Sequence, residues 1–195
     1  AAEICTLRLQ DCVAQSKELS YNTRLLDIYN SYQKENDEQA LYSSTTQLLE
    51  EKYKFNLDFN MTGLYYCNNK NHVYATGNQE LKSSLHFYND EGQSQIQEIA
   101  STIGTQTVLA EVNDHVYMIR NIMDRGFNPY AVLFMDLNES RVFESLESVW
   151  HYKSYAVFAD GRQLMQIGTE NFSKLAENTA TDSNVHLAGQ NQVYI

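Results

Sequence analysis

Residues 130–150 read YAVLFMDLNESRVFESLESVW, and this stretch decides the fold. A short apolar run, Tyr130 to Met135, enters Asp136-Leu137-Asn138, after which Val142, Phe143, Leu146, Val149 and Trp150 recur at spacings of three and four. The first pattern predicts a buried strand and the second an amphipathic helix, so one element feeds directly into the other. Asn138 stands where an N-cap is needed, because its side-chain oxygen can accept from an orphan N–H of the first turn. Downstream, Tyr155 to Ala159 and Arg162 to Ile167 flank Asp160-Gly161, a pairing that a tight primed turn favours. The stretch therefore joins two sheet-containing modules.

Working back from it, three strands are predicted in meander order: Thr107 to Val112, His115 to Met123 and Tyr130 to Leu137, with turns at Asn113-Asp114 and through Gly126 to Pro129. Before them lies a short helix, Gln93 to Ile103, ended by Gly104 at a good C′ position. A looser segment with Leu81, Leu85, Phe87 and Tyr88 leads into it. Earlier still, Leu64 to Cys67 and His72 to Thr76 read as paired strands about an asparagine-rich turn at residues 68–71. Two strands, a helical crossover and three strands make a five-stranded antiparallel sheet.

Residues 3 to about 35 contain neither Pro nor Gly, and Cys5, Cys12, Leu19 and Leu26 recur at heptad spacing. One long amphipathic helix is predicted, its stripe interrupted by Ser16 and Thr23, packing partly on its own domain and partly on a second copy. A further helix, Gln39 to about Tyr53, follows a break near Asn36-Asp37. Cys5 and Cys12 lie about 10 Å apart along such a helix axis, too far to bridge each other. They read as small buried apolar residues on a helix seam, with pairing across a parallel dimer as the alternative.

The resulting fold class is α+β, with a long N-terminal helical region over 1–60, a sheet module over 61–138, a linking helix over 139–152 and a partial second module over 153–195. In that last part, 171–178 read as weakly helical, 178–192 as a loop and 193–195 as a strand beginning. Ala1-Ala2-Glu3 opens without an initiator Met or a signal-peptide pattern, so the chain reads as a piece of something longer.

With 195 residues and 43% apolar content the chain can bury a core. Its formal charge of −11 repels phosphate backbones and anionic lipid, which argues against nucleic-acid binding. No window approaches the roughly 18 apolar residues that a membrane span needs.

The order of elements, with Ala131-Val132-Leu133-Phe134-Met135-Asp136-Leu137-Asn138 and Ser154-Tyr155-Ala156-Val157-Phe158-Ala159-Asp160-Gly161 as its anchoring motifs, resembles the double-Cache sensor family. These are PAS-like extracytoplasmic domains of bacterial transmembrane receptors, especially sensor histidine kinases. The resemblance covers residues 5 to about 170. It implies a ligand-binding membrane-distal module, a membrane-anchored parent protein and signal transmission by rearrangement of the helices that leave the domain. The aromatic and arginine signature of the amino-acid-binding members is not found between Leu81 and Val108, so an amino-acid ligand is not implied.

No catalytic constellation stands out. The five histidines are scattered, no His pair sits at i, i+4, no CxxC suggests a metal cage, and no Gly-rich phosphate loop is present, so neither a cofactor nor a metal is expected. Paired carboxylates such as Glu50-Glu51 lie on solvated helix faces. Ligand-binding candidates come from burial instead. Arg120 is a cation amid apolar residues of a strand and needs a partner or an anion. Tyr88 in the predicted lid, 81–103, and Tyr130 at a strand mouth are further candidates.

The expected function is ligand sensing for a histidine kinase, through an unknown small molecule or partner protein and a homodimer formed by the N-terminal helix. The alternatives are the sensor of a chemoreceptor or membrane-bound transcription factor, and a structural dimerisation module whose pocket is filled by its own side chains.

Overall fold

The computed structural model describes residues 2–147, 155–159 and 162–167. The helical N-terminal region divides into α1 (Ala2–Lys17), a 3-10 turn (Glu18–Tyr21), α2 (Thr23–Glu35) and α3 (Glu38–Tyr53). The single long helix expected over residues 3 to 35 is thus interrupted. Asn22 leaves the helical region at φ −92°, ψ 106°, and its side chain accepts from the Arg24 N–H, starting α2 afresh. The interruption lets Leu19 and Leu25 both bury completely. The break at Asn36-Asp37 falls where expected: Asn36 is left-handed at φ 53° and Asp37 caps α3 through the Ala40 N–H.

Five antiparallel strands follow: β1 (Phe59–Tyr66), β2 (Asn69–Gly77), β3 (Thr107–Val112), β4 (His115–Met123) and β5 (Pro129–Leu137). Their spatial order is β2-β1-β5-β4-β3. The last strand thereby lies in the middle, between two hairpins that meet only through it, which is why β5 carries the longest apolar run. The β1–β2 turn is tighter than the asparagine-rich loop expected, because Tyr66 already pairs with Asn69 across a bulge. Asn113 and Asp114 both hold positive φ, 47° and 67°, as a primed hairpin turn requires.

Between β2 and β3 the segment read as loose is ordered as α4 (Leu81–Phe87) and a π-helical turn (Tyr88–Gly92) before α5 (Gln93–Thr102). Seven residues with only Leu81, Leu85 and Phe87 as apolar contacts give too short a period to read from sequence. Gly104 takes φ 56° past the end of α5, and Asn121 Nδ2 donates to the carbonyls of Ala100 and Gly104 at 2.8 and 3.0 Å. The orphan carbonyls of that helix end are tied to the sheet.

Strand alternation sorts the core into two layers. Leu64, Tyr66, Met118, Leu133 and Met135 face α1 to α3, where Cys12, Leu25, Leu48 and Leu49 meet them. Burial raises the Cys12 thiol to about 12, consistent with an apolar role. Tyr65, Tyr117, Ile119, Val132 and Phe134 face α4 and α5, where Tyr88, Ile96 and Ala100 cover them.

After β5 the described part of the linking helix expected over 139–152 forms two single turns, α6 (Glu139–Val142) and α7 (Glu144–Glu147), separated at Phe143, and residues 148–152 lie outside the described residues. Both Val142 and Phe143 are buried. Asn138 caps α6 as expected, accepting from the Arg141 N–H. The second hairpin is β6 (Tyr155–Ala159) with β7 (Arg162–Ile167), closing at the Ala159 and Arg162 pair as its sequence requires. The expected helix over 171–178, the loop over 178–192 and the strand over 193–195 lie outside the described residues.

Candidate functional site

Register places Met61, Asp136 and Tyr117 side by side across β1, β5 and β4, and Gly63, Phe134 and Ile119 in the next row. All six share the face turned toward α4 and α5. Phe134 fits because Gly63 has no side chain: a Cβ there would stand 2.3 Å from the Phe134 Cζ. The ring is clamped from above by Tyr88, whose own ring lies 4.3 Å away and 12° from parallel. This lid-to-sheet interface is filled by the chain's own aromatics. Within it the hydroxyls of Tyr88 and Tyr117 are buried without a hydrogen-bond partner among the described residues. Gln97 lies near enough to the Tyr88 hydroxyl to oppose the upward push of burial on its pKa, but outside hydrogen-bond geometry.

Toward the α6 end of this face the interface opens. A cleft of about 740 Å³ is bounded by the start of β1, the segment after β2, the β3–β4 turn and the first turn of α6. Asp136, only 1% exposed, lies in it, and its Oδ2 meets His115 Nδ1 at 3.3 Å. Phe87 stacks on the His115 ring at 3.9 Å, which fixes the imidazole against the carboxylate. The hydrogen bond to Asp136 raises the His115 pKa, against the effect of burial. Glu139 hangs from the first turn of α6, and its Oε1 accepts the Val116 N–H at 3.2 Å. Burial raises its pKa, and the Asp136 charge adds to the shift.

Four carboxylates line the cleft, those of Glu80, Asp114, Asp136 and Glu139. Arg141 also lines it but is engaged outward, Nε to Asp58 Oδ1 at 3.1 Å. The cleft is therefore electronegative and suited to a cationic or amine-bearing solute.

The sequence candidates do not converge on it. Arg120 projects from the opposite face of β4, toward the N-terminal helices, where Nε donates to Ser20 Oγ at 2.8 Å and Nη1 to Thr107 Oγ1 at 2.6 Å. Tyr130 also turns to that side, because it is the extra residue of a bulge in β5, opposite the Ile122–Met123 step of β4, and lies against Tyr29, ring centroids 5.2 Å apart. Tyr88 alone lies on the lid face. Asp136 and His115 were missed, although the argument that singled out Arg120, a charge in an apolar strand, applies to Asp136 with more force.

No family model matches the sequence, and no curated protein matches it. Solved structures do. The periplasmic sensory domain of the Campylobacter jejuni chemoreceptor Tlp1 is 13% identical with a TM-score of 0.50, over 85% of this chain and 69% of that one. An extracellular ligand binding receptor from Desulfohalobium retbaense is 14% identical with a TM-score of 0.50, over 96% of this chain but 35% of its own. The periplasmic domain of Vibrio cholerae LuxQ is 12% identical with a TM-score of 0.46, over 94% and 85%. At these identities the likeness is one of fold. The fold is one shared with the Tlp1 sensory domain and the Desulfohalobium retbaense receptor, and no helix among the described residues is long and apolar enough to cross a membrane.

Proposed function

We propose that this chain is the extracytoplasmic ligand-sensing domain of a membrane-anchored sensor histidine kinase, and that the solute it senses carries a cationic amine. One observation carries the reading: a buried carboxylate, Asp136, stands in an open cleft lined by three more carboxylates. A chemoreceptor parent would use the same domain in the same way, and the likeness to the Tlp1 sensory domain favours it as the second reading.

The position of the cleft supports a route for the signal. Its wall includes residues 138–141, and the next residues grip α1: Cys5 Sγ lies 3.5 Å from the Val142 carbonyl, Arg8 donates to the Arg141 carbonyl, and Arg8 pairs with Glu144 at 3.4 Å. A solute drawn to Glu139 and Asp136 would bear on the segment that holds α1. It shifts that segment only if it binds two arrangements unequally. Ile4 and Leu7, about half exposed at 48% and 55% on the outer side of α1, support pairing with a second copy through this helix.

The test is a thermal-shift and calorimetric screen of the chain against primary amines, diamines, guanidines, organic acids and sugars, repeated with Asp136→Asn. Ligand binding raises the apparent stability of the native state. A saturable rise with amine-bearing solutes that disappears in Asp136→Asn supports the reading. A response to organic acids alone, or one that Asp136→Asn leaves intact, overturns it.

A further inference from the structure

A second concavity lies on the opposite face of the sheet, between the α2–α3 junction and the β1–β2 hairpin, with a volume of about 360 Å³. Its walls are aromatic. Tyr42 and Tyr74 stand 5.9 Å apart and inclined by 41°, His72 meets Tyr42 edge-on at 89°, and His72 and Tyr74 are 4.9 Å apart at 52°. The three rings are inclined to one another rather than stacked, and all of them line the groove. Tyr66 closes the floor. Its ring is held by stacking on Tyr29, centroids 5.1 Å apart, and its hydroxyl by Thr45 Oγ1 at 2.7 Å, so the floor is built before any ligand arrives.

The charge around this groove is one-sided. Glu38, exposed at the start of α3, borders it, and among the described residues neither lysine nor arginine lines it. Tyr74 is 5% exposed, and burial raises its hydroxyl to about 12, with Tyr32, Glu38 and Tyr42 nearby adding to the effect. Its ring is thus a neutral wall with an electron-rich face. Aromatic faces attract cations within roughly 6 Å of the ring centroid. A primary ammonium needs three acceptors to replace its water shell, and only one carboxylate, Glu38, stands here against four in the cleft on the other face. An ammonium whose protons are replaced by methyl groups needs none, and gains from ring faces and from one carboxylate.

We propose that the groove walled by Tyr42, Tyr66, His72 and Tyr74 and bordered by Glu38 binds the methylated ammonium head of a small organic cation. The site is separate from the Asp136 cleft, and stands or falls independently of it.

The experiment is a calorimetric and NMR titration of the 195-residue chain with choline and with 3,3-dimethylbutan-1-ol, its uncharged isostere. It is repeated with Tyr42→Ala and Glu38→Gln. Tyr42 is 52% exposed and Glu38 is on the surface, so both variants keep the fold. The expected result is saturable choline binding that shifts the Tyr42 and His72 ring resonances, is weakened roughly threefold or more by Tyr42→Ala and is weakened by Glu38→Gln. The isostere should bind more weakly than choline. Failure of choline to saturate at tens of millimolar, equal binding of the isostere, or indifference to both groove variants would overturn the proposal.

Discussion

Phe134 lies sandwiched between Gly63, its register partner in β1, and Tyr88 of the lid, whose ring stacks on it at 4.3 Å. The position is tolerated only because residue 63 has no Cβ. An added methyl would meet Cζ at 2.3 Å and Cε2 at 2.5 Å, and the ring cannot retreat into Tyr88.

Gly63→Ala should therefore destabilise the domain by about 1–3 kcal/mol, the usual range for overpacking a closed core. The backbone effect of replacing a strand glycine has the opposite sign and is smaller, about 0.5–1 kcal/mol. Urea unfolding of the two proteins decides it. An unchanged midpoint would mean that Phe134 has room the packing does not show.

Tyr88→Phe and Tyr117→Phe should each leave the unliganded domain as stable as before, or up to about 1 kcal/mol more stable. Each deletes a buried hydroxyl that has no hydrogen-bond partner, and leaving such a group unsatisfied costs about 1–3 kcal/mol. Tyr66→Phe is the contrast, since its hydroxyl bonds to Thr45 at 2.7 Å, and it should lose about 0.5–1.5 kcal/mol. Equal losses at all three positions in denaturant unfolding would show that the lid-side hydroxyls are satisfied in solution.

What the sequence disclosed, and what it withheld, follows from the range of the forces involved. The meander β3 to β5 was legible because period-two alternation and Asn113-Asp114 are local signals. The strand order was not deducible from those signals alone, since placing β5 beside β1 depends on covering both faces at once. The break at Asn22 was hidden because asparagine costs little inside a helix and becomes a cap only when Leu19 and Leu25 both find a core. The same holds for the site. Asp136 alternates in step with Val132 and Phe134, a pattern visible in sequence. That the cleft opens beside it is decided by the segment after β2 and the β3–β4 turn, distant in the chain.

Arg120→Ala should lower stability by about 1–3 kcal/mol, because a charged donor bonded to Ser20 and Thr107 ties the 3-10 turn after α1 to β3 and β4. Binding of any solute in the Asp136 cleft should not change, since Arg120 is on the other face of the sheet. Denaturant unfolding and calorimetry on the same variant separate the two effects. A loss of solute affinity with unchanged stability would make Arg120 a ligand contact.

The pairing of His115 with Asp136 makes stability depend on pH in a defined direction. The folded-state pKa of His115 is raised, first by its hydrogen bond to Asp136, so the imidazolium is favoured in the native state. That contribution is fully present below the unfolded-state value of about 6.5 and is lost as pH rises through the higher folded value. Glu139 acts with the same sign in a lower range. Burial raises its folded pKa, so its contribution fades as pH rises from the ordinary glutamate range through the raised value. The exposed carboxylates Glu51 and Asp124 have lowered pKa values, through Arg24 and through the Asn128 backbone N–H respectively. Their contributions are lost only on acidification below the ordinary range. Between pH 5.5 and 8.5, about one unit below and two above the free histidine value, the urea midpoint should fall with rising pH. Asp136→Asn should flatten that fall by removing the first cause of the His115 shift. A slope as steep in Asp136→Asn as in the parent would detach the pH response from this pair.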